Sequence, residues 1–372
     1  MRSQNRGVAR RVVAVAVLGA ACIVSQSCSS NDRAQPLNKD VFPAADAGQE
    51  ASFDPDDWDH DGYTPATGDC NEYDALVNPG AFEYVGNDVD DDCDGTKDNG
   101  YADCDEVAEG TGVSAEDAAT AMNLCTPQFL LKAEYGFPGV PEQRAVRSEF
   151  GPNIAPRLGS TMLVMSSGLT LTPSEPGFVD TAPGTDHAMS TARPFAYASR
   201  PDCPNTTSAK IFDLADLQLK LKAPTNAKAF AFDFRFMTAE YPDYYCSPYN
   251  DAFAALVESE RYDRVNVAYG AEGEFVSVNV SFWAICENTE KYEGCSESPS
   301  SVDGTGFGSD SGAPHGATRW LTTSVPVEPG EEFTVRLAVW DEGDNILDST
   351  VLIDNFRWDI NPAEKESTQE VK

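Results

Sequence analysis

The stretch "AFAFDFRF", residues 229–236, sets phenylalanine at 230, 232, 234 and 236. On a helix, steps of two throw successive side chains to nearly opposite sides, so four rings could not share one surface. On a strand they line one face. The same period runs through "LQLKLKA" at Leu217, Leu219 and Leu221, and through "FVSVNVSFWA", "EFTVRLAVW" and "TVLIDNFRW". Gly, Pro and Asn clusters separate these runs, with no amphipathic helix between them. The pattern predicts a mainly β chain whose large part, residues 127–362, folds as an antiparallel jelly-roll-like β-sandwich. With 372 residues and 41% hydrophobic content, the chain has length for two or three domains and material for a core.

Ahead of the strands lies a stretch of opposite character. Residues 53–100 carry the acids of a segment, 51–100, that holds fifteen Asp or Glu and one base, Lys97. Like charges so close repel unless a cation sits between them. In a Ca²⁺ loop, positions 1, 3 and 5 supply side-chain ligands, a glycine at 6 turns the chain, and position 7 lends its carbonyl. Asp57, Asp59, Asp61, Gly62 and Tyr63 fill those slots. Position 12 is Gly68, and Asp69 just after it is the substitute ligand. A second run supplies Asp90, Asp92, Asp94, Gly95 and the Thr96 carbonyl, with Asp98 at position nine and Asp88 as an extension. Pro55 and Pro65 bracket the first loop and no helical periodicity flanks it, so this is not a helix-loop-helix hand. Cys70 and Cys93 stand beside the two runs; joined, they constrain the unfolded segment by roughly 3 kcal/mol. Metal plus disulfide is the usual remedy for a segment too small for a core. The competing reading is an acidic linker that binds nothing specific.

"DHDGYTPATGDCNEYDALVNPGAFEYVGNDVDDDCDGTKDN" resembles the bacterial MopE-type metal-binding motif, over about residues 56–99. The D-x-D-G-Y core, "GDC", "NPGAFE" with Glu83, and "DDDCDG" carry the resemblance. That family is tied to copper by name, but the ligands here are hard carboxylates and the one nearby imidazole is His60. Calcium is the expected cofactor and copper is not.

Residues 101–126 form a connector. Ser114 with Asp117 reads as a capping box opening one short helix through "AEDAATAMNLC". Beyond it, "GSTMLVMSSGLT", "FDFRFMTAEYPDYYCSPYNDAFAALV" and "GATRWLTTSVPVEPGEEFTVRLAVWDEGDNILDSTVLIDNFRW" together resemble the choice-of-anchor L domain of bacterial surface proteins, over roughly residues 120–360. The resemblance implies surface display and assigns no enzymatic activity. Within this region Glu240, Asn250 and Asp251 surround an aromatic loop, and Asp354, with Asp348 ahead of it, sits in an otherwise apolar last strand. These acids form a candidate second metal site; alternatively Asp354 caps a strand end or lies on a wet face. Residues 363–372 form a polar tail.

The N-terminus reads as a leader. Arg2, Arg6, Arg10 and Arg11 precede the short apolar run Val12–Val24, too short to span a bilayer comfortably. Residues 1–27 are the expected signal peptide and 28–52 a flexible tether. Cys22 and Cys28 each resemble the lipidated cysteine of bacterial lipoproteins. Cleavage before Cys28 leaves eight further cysteines, which pair completely in an oxidising compartment, so Cys28 is the expected lipid-bearing residue. Ordinary cleavage and secretion is the alternative. Short loops close most readily, which predicts Cys70–Cys93, Cys104–Cys125, Cys203–Cys246 and Cys286–Cys295.

A net charge of −35 argues against nucleic acid or anionic lipid as partners. It leaves divalent cations, surface glycans or proteins, and a membrane reached only through the lipid. Catalysis is not favoured. "SDSG" at Ser309–Gly312 resembles a serine-protease nucleophile loop, but His60, His187 and His315 have no supporting context. No two acids stand out as a glycosidase pair. Trp283, Trp320, Trp340 and Trp358 lie in β segments and are expected in the core, with one or two available for sugar stacking. The sequence thus predicts an exported, surface-anchored calcium-binding lipoprotein with a display or ligand-binding sandwich. The rival is an extracellular hydrolase on the same sandwich.

Overall fold

The four phenylalanines of 229–236 do line one face. They sit in one core cluster with Leu217, Leu219 and Leu221, all fully buried. The structure, a computed structural model, describes residues 54–100, 104, 107–195, 203, 210–270, 273–286, 295–312 and 315–371. The leader, Cys22, Cys28 and the tether lie outside the described residues, as does 287–294 between the last two cysteines.

Among the described residues the strands are β1 (Gly110–Thr111), β2 (Leu130–Glu134), β3 (Arg144–Arg147), β4 (Met162–Ser166) and β5 (Ser190–Ala192). There follow β6 (Lys210–Lys222), β7 (Ala229–Thr238), β8 (Ala252–Glu258), β9 (Val265–Asn266) and β10 (Trp283–Cys286). The last are β11 (Gly316–Thr318), β12 (Leu321–Pro326), β13 (Glu332–Glu342), β14 (Ser349–Asp359) and β15 (Ser367–Glu370). They make two sheets with antiparallel pairing throughout. One runs β1-β3-β4-β14-β7-β11-β10, with β12 also on β7 and β15 on β12. The other runs β2-β6-β13-β8-β9, with β5 on β6. Alternate residues of both fill the space between, among them Phe253 on β8, Val339 on β13 and Ile353 on β14. This is a mainly β, two-sheet fold.

Two expectations need correction. The helix α1 covers only Ala115–Thr120, with the Ser114 hydroxyl accepting from Asp117 N at 3.0 Å. It stops because Asn123 adopts a left-handed φ of 71°, which ends the α-helical ladder before Cys125. "FVSVNVSFWA" yields only β10 at its end. Val276, Val278 and Val280 are buried, but their backbone pairs at isolated points, Phe253 N to Val276 O and Val278 N to Asp251 O.

Residues 54–372 form one compact unit. The acidic stretch has almost no core of its own; among the described residues it buries Val77, Ala81 and Phe82. Phe82 joins the inter-sheet cluster. Its N–H donates to the Asn226 side chain at 3.0 Å and its carbonyl accepts from it at 2.8 Å. Thr225 N donates to Gly80 O, and the Thr225 hydroxyl to the Asn78 side chain.

Candidate metal centre

Each D-x-D-x-D-G run folds as a tight loop tied by its first aspartate. Asp57 Oδ2 accepts from Gly62 N at 3.1 Å, and Asp90 Oδ2 from Gly95 N at 3.0 Å. Both glycines take positive φ, 92° and 95°, which an L side chain would strain. The disulfide Cys70–Cys93, Cα atoms 5.6 Å apart, brings the loops together.

Two carboxylate groups result. Asp57, Asp59 and Asp61 each offer an oxygen within 4.8 Å of the other two, and so do Glu83, Asp90 and Asp92. A Ca²⁺ ion with bonds of about 2.3–2.6 Å spans that separation. Both Asp59 oxygens are buried with no hydrogen-bond partner, as are Asp61 Oδ2, Asp69 Oδ2, Glu83 Oε2 and Asp90 Oδ1. Asp69 and Glu83 are only 7% and 5% exposed. Buried oxygens aimed at one another and left unpaired are what a bound cation would satisfy.

The electrostatics agree. Burial first, then the Asp59 and Asp69 charges, pushes the Asp61 carboxyl above its ordinary value. Burial and neighbouring carboxylates do the same to Glu83 and Asp92. The set is all oxygen; His60 is exposed, and its backbone N–H serves Asp57. Such donors fit a hard divalent ion.

Other residues of the stretch are placed differently from one another. Asp69 lies beside the first group. Glu72, not singled out from the sequence, lies there too: one oxygen accepts from Trp58 N, the other is buried without a partner, and Asp69 and Asp59 help raise its carboxyl after burial. Glu83 enters the second group from the "NPGAFE" segment. Asp94 accepts from Thr96 N and the Asn99 side chain. Asp98 accepts from the backbone N–H groups of Gly86, Asn87 and Asp88, so its carboxylate fastens that turn instead of meeting Asp90 and Asp92. Asp88 faces Lys97 at 3.7 Å. Tyr63 and Thr96 hydrogen-bond through N–H to Asp61 and Asp94. Trp58 and Tyr73, 61% and 77% exposed, meet edge to face at 5.4 Å beside the first group.

In the sandwich, Glu240 and Asp251 come together, Glu240 Oε2 accepting from Asp251 N at 3.1 Å. Asn250 N donates to Glu342 O at 3.0 Å, and its buried side-chain oxygen has no hydrogen-bond partner. Asp354 does not join them. It lies five residues along β14 from Ser349, about 17 Å at strand spacing. There it is fully buried and accepts from the backbone of Arg157, Leu158 and Asn355. It neither caps the strand nor faces water; it fastens the 157–158 loop.

The structure joins Cys104 to Cys125, Cys203 to Cys246 and Cys286 to Cys295, besides Cys70 to Cys93. His315 is 2% exposed; its Nδ1 meets the Ser311 hydroxyl at 2.7 Å and its Nε2 the Thr181 hydroxyl at 2.9 Å. A serine triad places a carboxylate where Thr181 stands. The Ser309 hydroxyl donates to Asp303. Trp340 and Trp358 are buried, and Trp283 and Trp320 half-buried.

The choice-of-anchor L domain model matches residues 159–357, more than half of the chain. The chain belongs to the choice-of-anchor L domain family. A second model, described as "Putative metal-binding motif", matches residues 69–99. That match takes in Glu83, Asp90 and Asp92 and both cysteines of the module, and begins after the Asp57 loop. No curated protein matches. As a choice-of-anchor L domain protein, this is a bacterial cell-surface or secreted protein, and its metal-binding motif and acidic groups suggest a metal site.

Proposed function

We propose that the protein is a surface lipoprotein, held by lipid on Cys28, whose module binds Ca²⁺ and whose sandwich displays a non-catalytic binding surface for envelope glycans or proteins. The observation that carries the calcium assignment is the pair of carboxylate groups with buried, unpartnered oxygens and no imidazole or thiolate among them. Lipidation rests on the basic-then-apolar leader ahead of Cys28 and on cysteine parity.

Calorimetry on the mature chain tests the metal. Heat with Ca²⁺ that diminishes in Asp57→Ala plus Asp61→Ala supports it, whereas tight Cu²⁺ binding without Ca²⁺ heat removes it. Metabolic labelling with a fatty-acid analogue tests the anchor: the label is lost in Cys28→Ala, and loss in Cys22→Ala alone would reassign it. A glycan array beside a panel of chromogenic substrates separates binding from hydrolysis. Turnover of any substrate by the purified chain would overturn the non-catalytic reading.

A further inference from the structure

A second, separate group of acids lies inside the sandwich, where four strand ends meet. Glu240 follows β7, Asp251 precedes β8, Asp341 lies near the end of β13 and Asp348 precedes β14. All four are at most 2% exposed. The β13–β8 register pairs Trp340 with Ala252, which sets Asp341 opposite Asp251 on the face that also carries Phe253 and Val339. That face looks across at the other sheet: the Ser349 hydroxyl donates to Asp251 Oδ2 at 2.7 Å and lies 2.8 Å from the Thr238 hydroxyl.

The hydrogen bonds are unequally shared. Asp251 Oδ1 accepts from Glu342 N at 3.0 Å, Glu240 from Asp251 N at 3.1 Å, and Asp348 from Thr185 N at 2.8 Å. Asp213, fully buried nearby, accepts from His187 N and Met189 N. Asp341 has no donor of proper geometry on either oxygen, though it is 1% exposed. Its surroundings are further carboxylates, Asp251, Asp348 and Asp213, with the Ser167 hydroxyl beside it. The ion pairs among the described residues include none of these five acids. Buried carboxylates without a counter-charge are costly, and something must neutralise them. A proton on Asp341 would satisfy one of its oxygens; a cation engages both.

We propose that Asp341 and Asp251 hold a hard divalent cation between the two sheets, in an oxygen shell that draws on the hydroxyls of Ser167 and Ser349. The half-buried Asp344 adds a carboxylate near Asp251 and Glu240, which favours entry of such an ion. The bound ion ties the last turn of one sheet to the other where strand pairing ends. This site is independent of the acidic module.

The test starts from the full mature chain with the module silenced by Asp59→Asn, Asp61→Asn, Glu83→Gln and Asp92→Asn. After dialysis against millimolar Ca²⁺, elemental analysis is expected to find one calcium per chain, and chelation to lower the melting temperature. Adding Asp341→Asn is expected to weaken that binding at least tenfold and remove the chelator effect. No calcium in the silenced chain, with a melting temperature indifferent to chelator, would overturn the proposal, and this holds even if Asp341→Asn fails to fold. A calcium count that stays at one in folded Asp341→Asn would also overturn it.

Discussion

Replacing Asp59 by asparagine should stabilise the module more without calcium than with it. The three carboxylates of the first group have oxygens within 4.8 Å of one another. At that separation two unit charges repel by about 0.9 kcal/mol in bulk water and about 3.5 kcal/mol at an effective dielectric of about 20. Half-buried groups fall between, at about 2 kcal/mol a pair. Asp59 belongs to two of the three pairs, so Asp59→Asn relieves about 4 kcal/mol in the cation-free protein. No native hydrogen bond is lost, because neither Asp59 oxygen accepts one. With calcium present the same change also removes a ligand, costing about tenfold in affinity or more, about 1.4 kcal/mol, so the net gain falls to about 2.6 kcal/mol or less. Hydrogen exchange over residues 54–100 of the full chain reads both regimes. Protection in Asp59→Asn is expected to exceed wild type most in chelator and by a smaller margin in millimolar Ca²⁺. An equal or larger gain in Ca²⁺, or no gain in chelator, would refute the electrostatic account of the module.

Three further outcomes follow from particular contacts. Asn226→Ala leaves the Phe82 N–H and carbonyl unpaired in a buried place, at about 1–3 kcal/mol each, and should deprotect residues 77–83 in hydrogen exchange while β6 and β7 keep their protection. Cys70→Ser with Cys93→Ser reopens a 23-residue separation and should cost about 3 kcal/mol of module stability in chelator, measured by denaturant-dependent exchange; no loss would mean the loops are held by other contacts. Burial pushes the Asp354 carboxyl up to about 7 from an ordinary 3.8, so the folded chain holds a proton that the unfolded chain releases. That contribution is complete below pH ~4 and is lost as pH rises through ~7; melting curves across this window should fall for wild type and flatten for Asp354→Asn, and parallel curves would refute it.

The strands were legible because a period of two with large rings has one solution: Phe230 to Phe236 share a face, and that face must be covered. "FVSVNVSFWA" shows where the signal stops. Its valines are buried as alternation predicts, but burial does not require a ladder, and the backbone there pairs only at isolated points. The loops of the acidic module were legible for a local reason, since the aspartates and glycine of one turn lie within six residues. Glu72 was not, and Glu83 stood out only through the resemblance to the metal-binding motif, because both reach the carboxylate groups only after the chain has doubled back through the disulfide. Asp98 fits a ligand position by spacing, yet three backbone N–H groups claim it, and spacing cannot show such competition. The pairing of Asp341 with Asp251 depends on β13–β8 register across ninety positions, beyond what any local pattern records.

The same non-local folding explains why a charged module of some fifty residues needs no core of its own. Its buried apolar residues, Val77, Ala81 and Phe82, lie in the segment that meets the 225–226 turn, and Phe82 belongs to the inter-sheet cluster. The candidate ligands grip that segment from both ends. Asn78, which meets Thr225, also lies against the Asp61 carboxylate, and Glu83 follows Phe82 directly. Repulsion within either carboxylate group is therefore transmitted to the residues that dock, and a ligand that binds only the ordered arrangement stabilises the docking by the same free energy with which it binds. Exchange protection at residues 77–83 and at the 225–226 turn should thus rise together with calcium, and a rise confined to the loops would separate the metal from the junction.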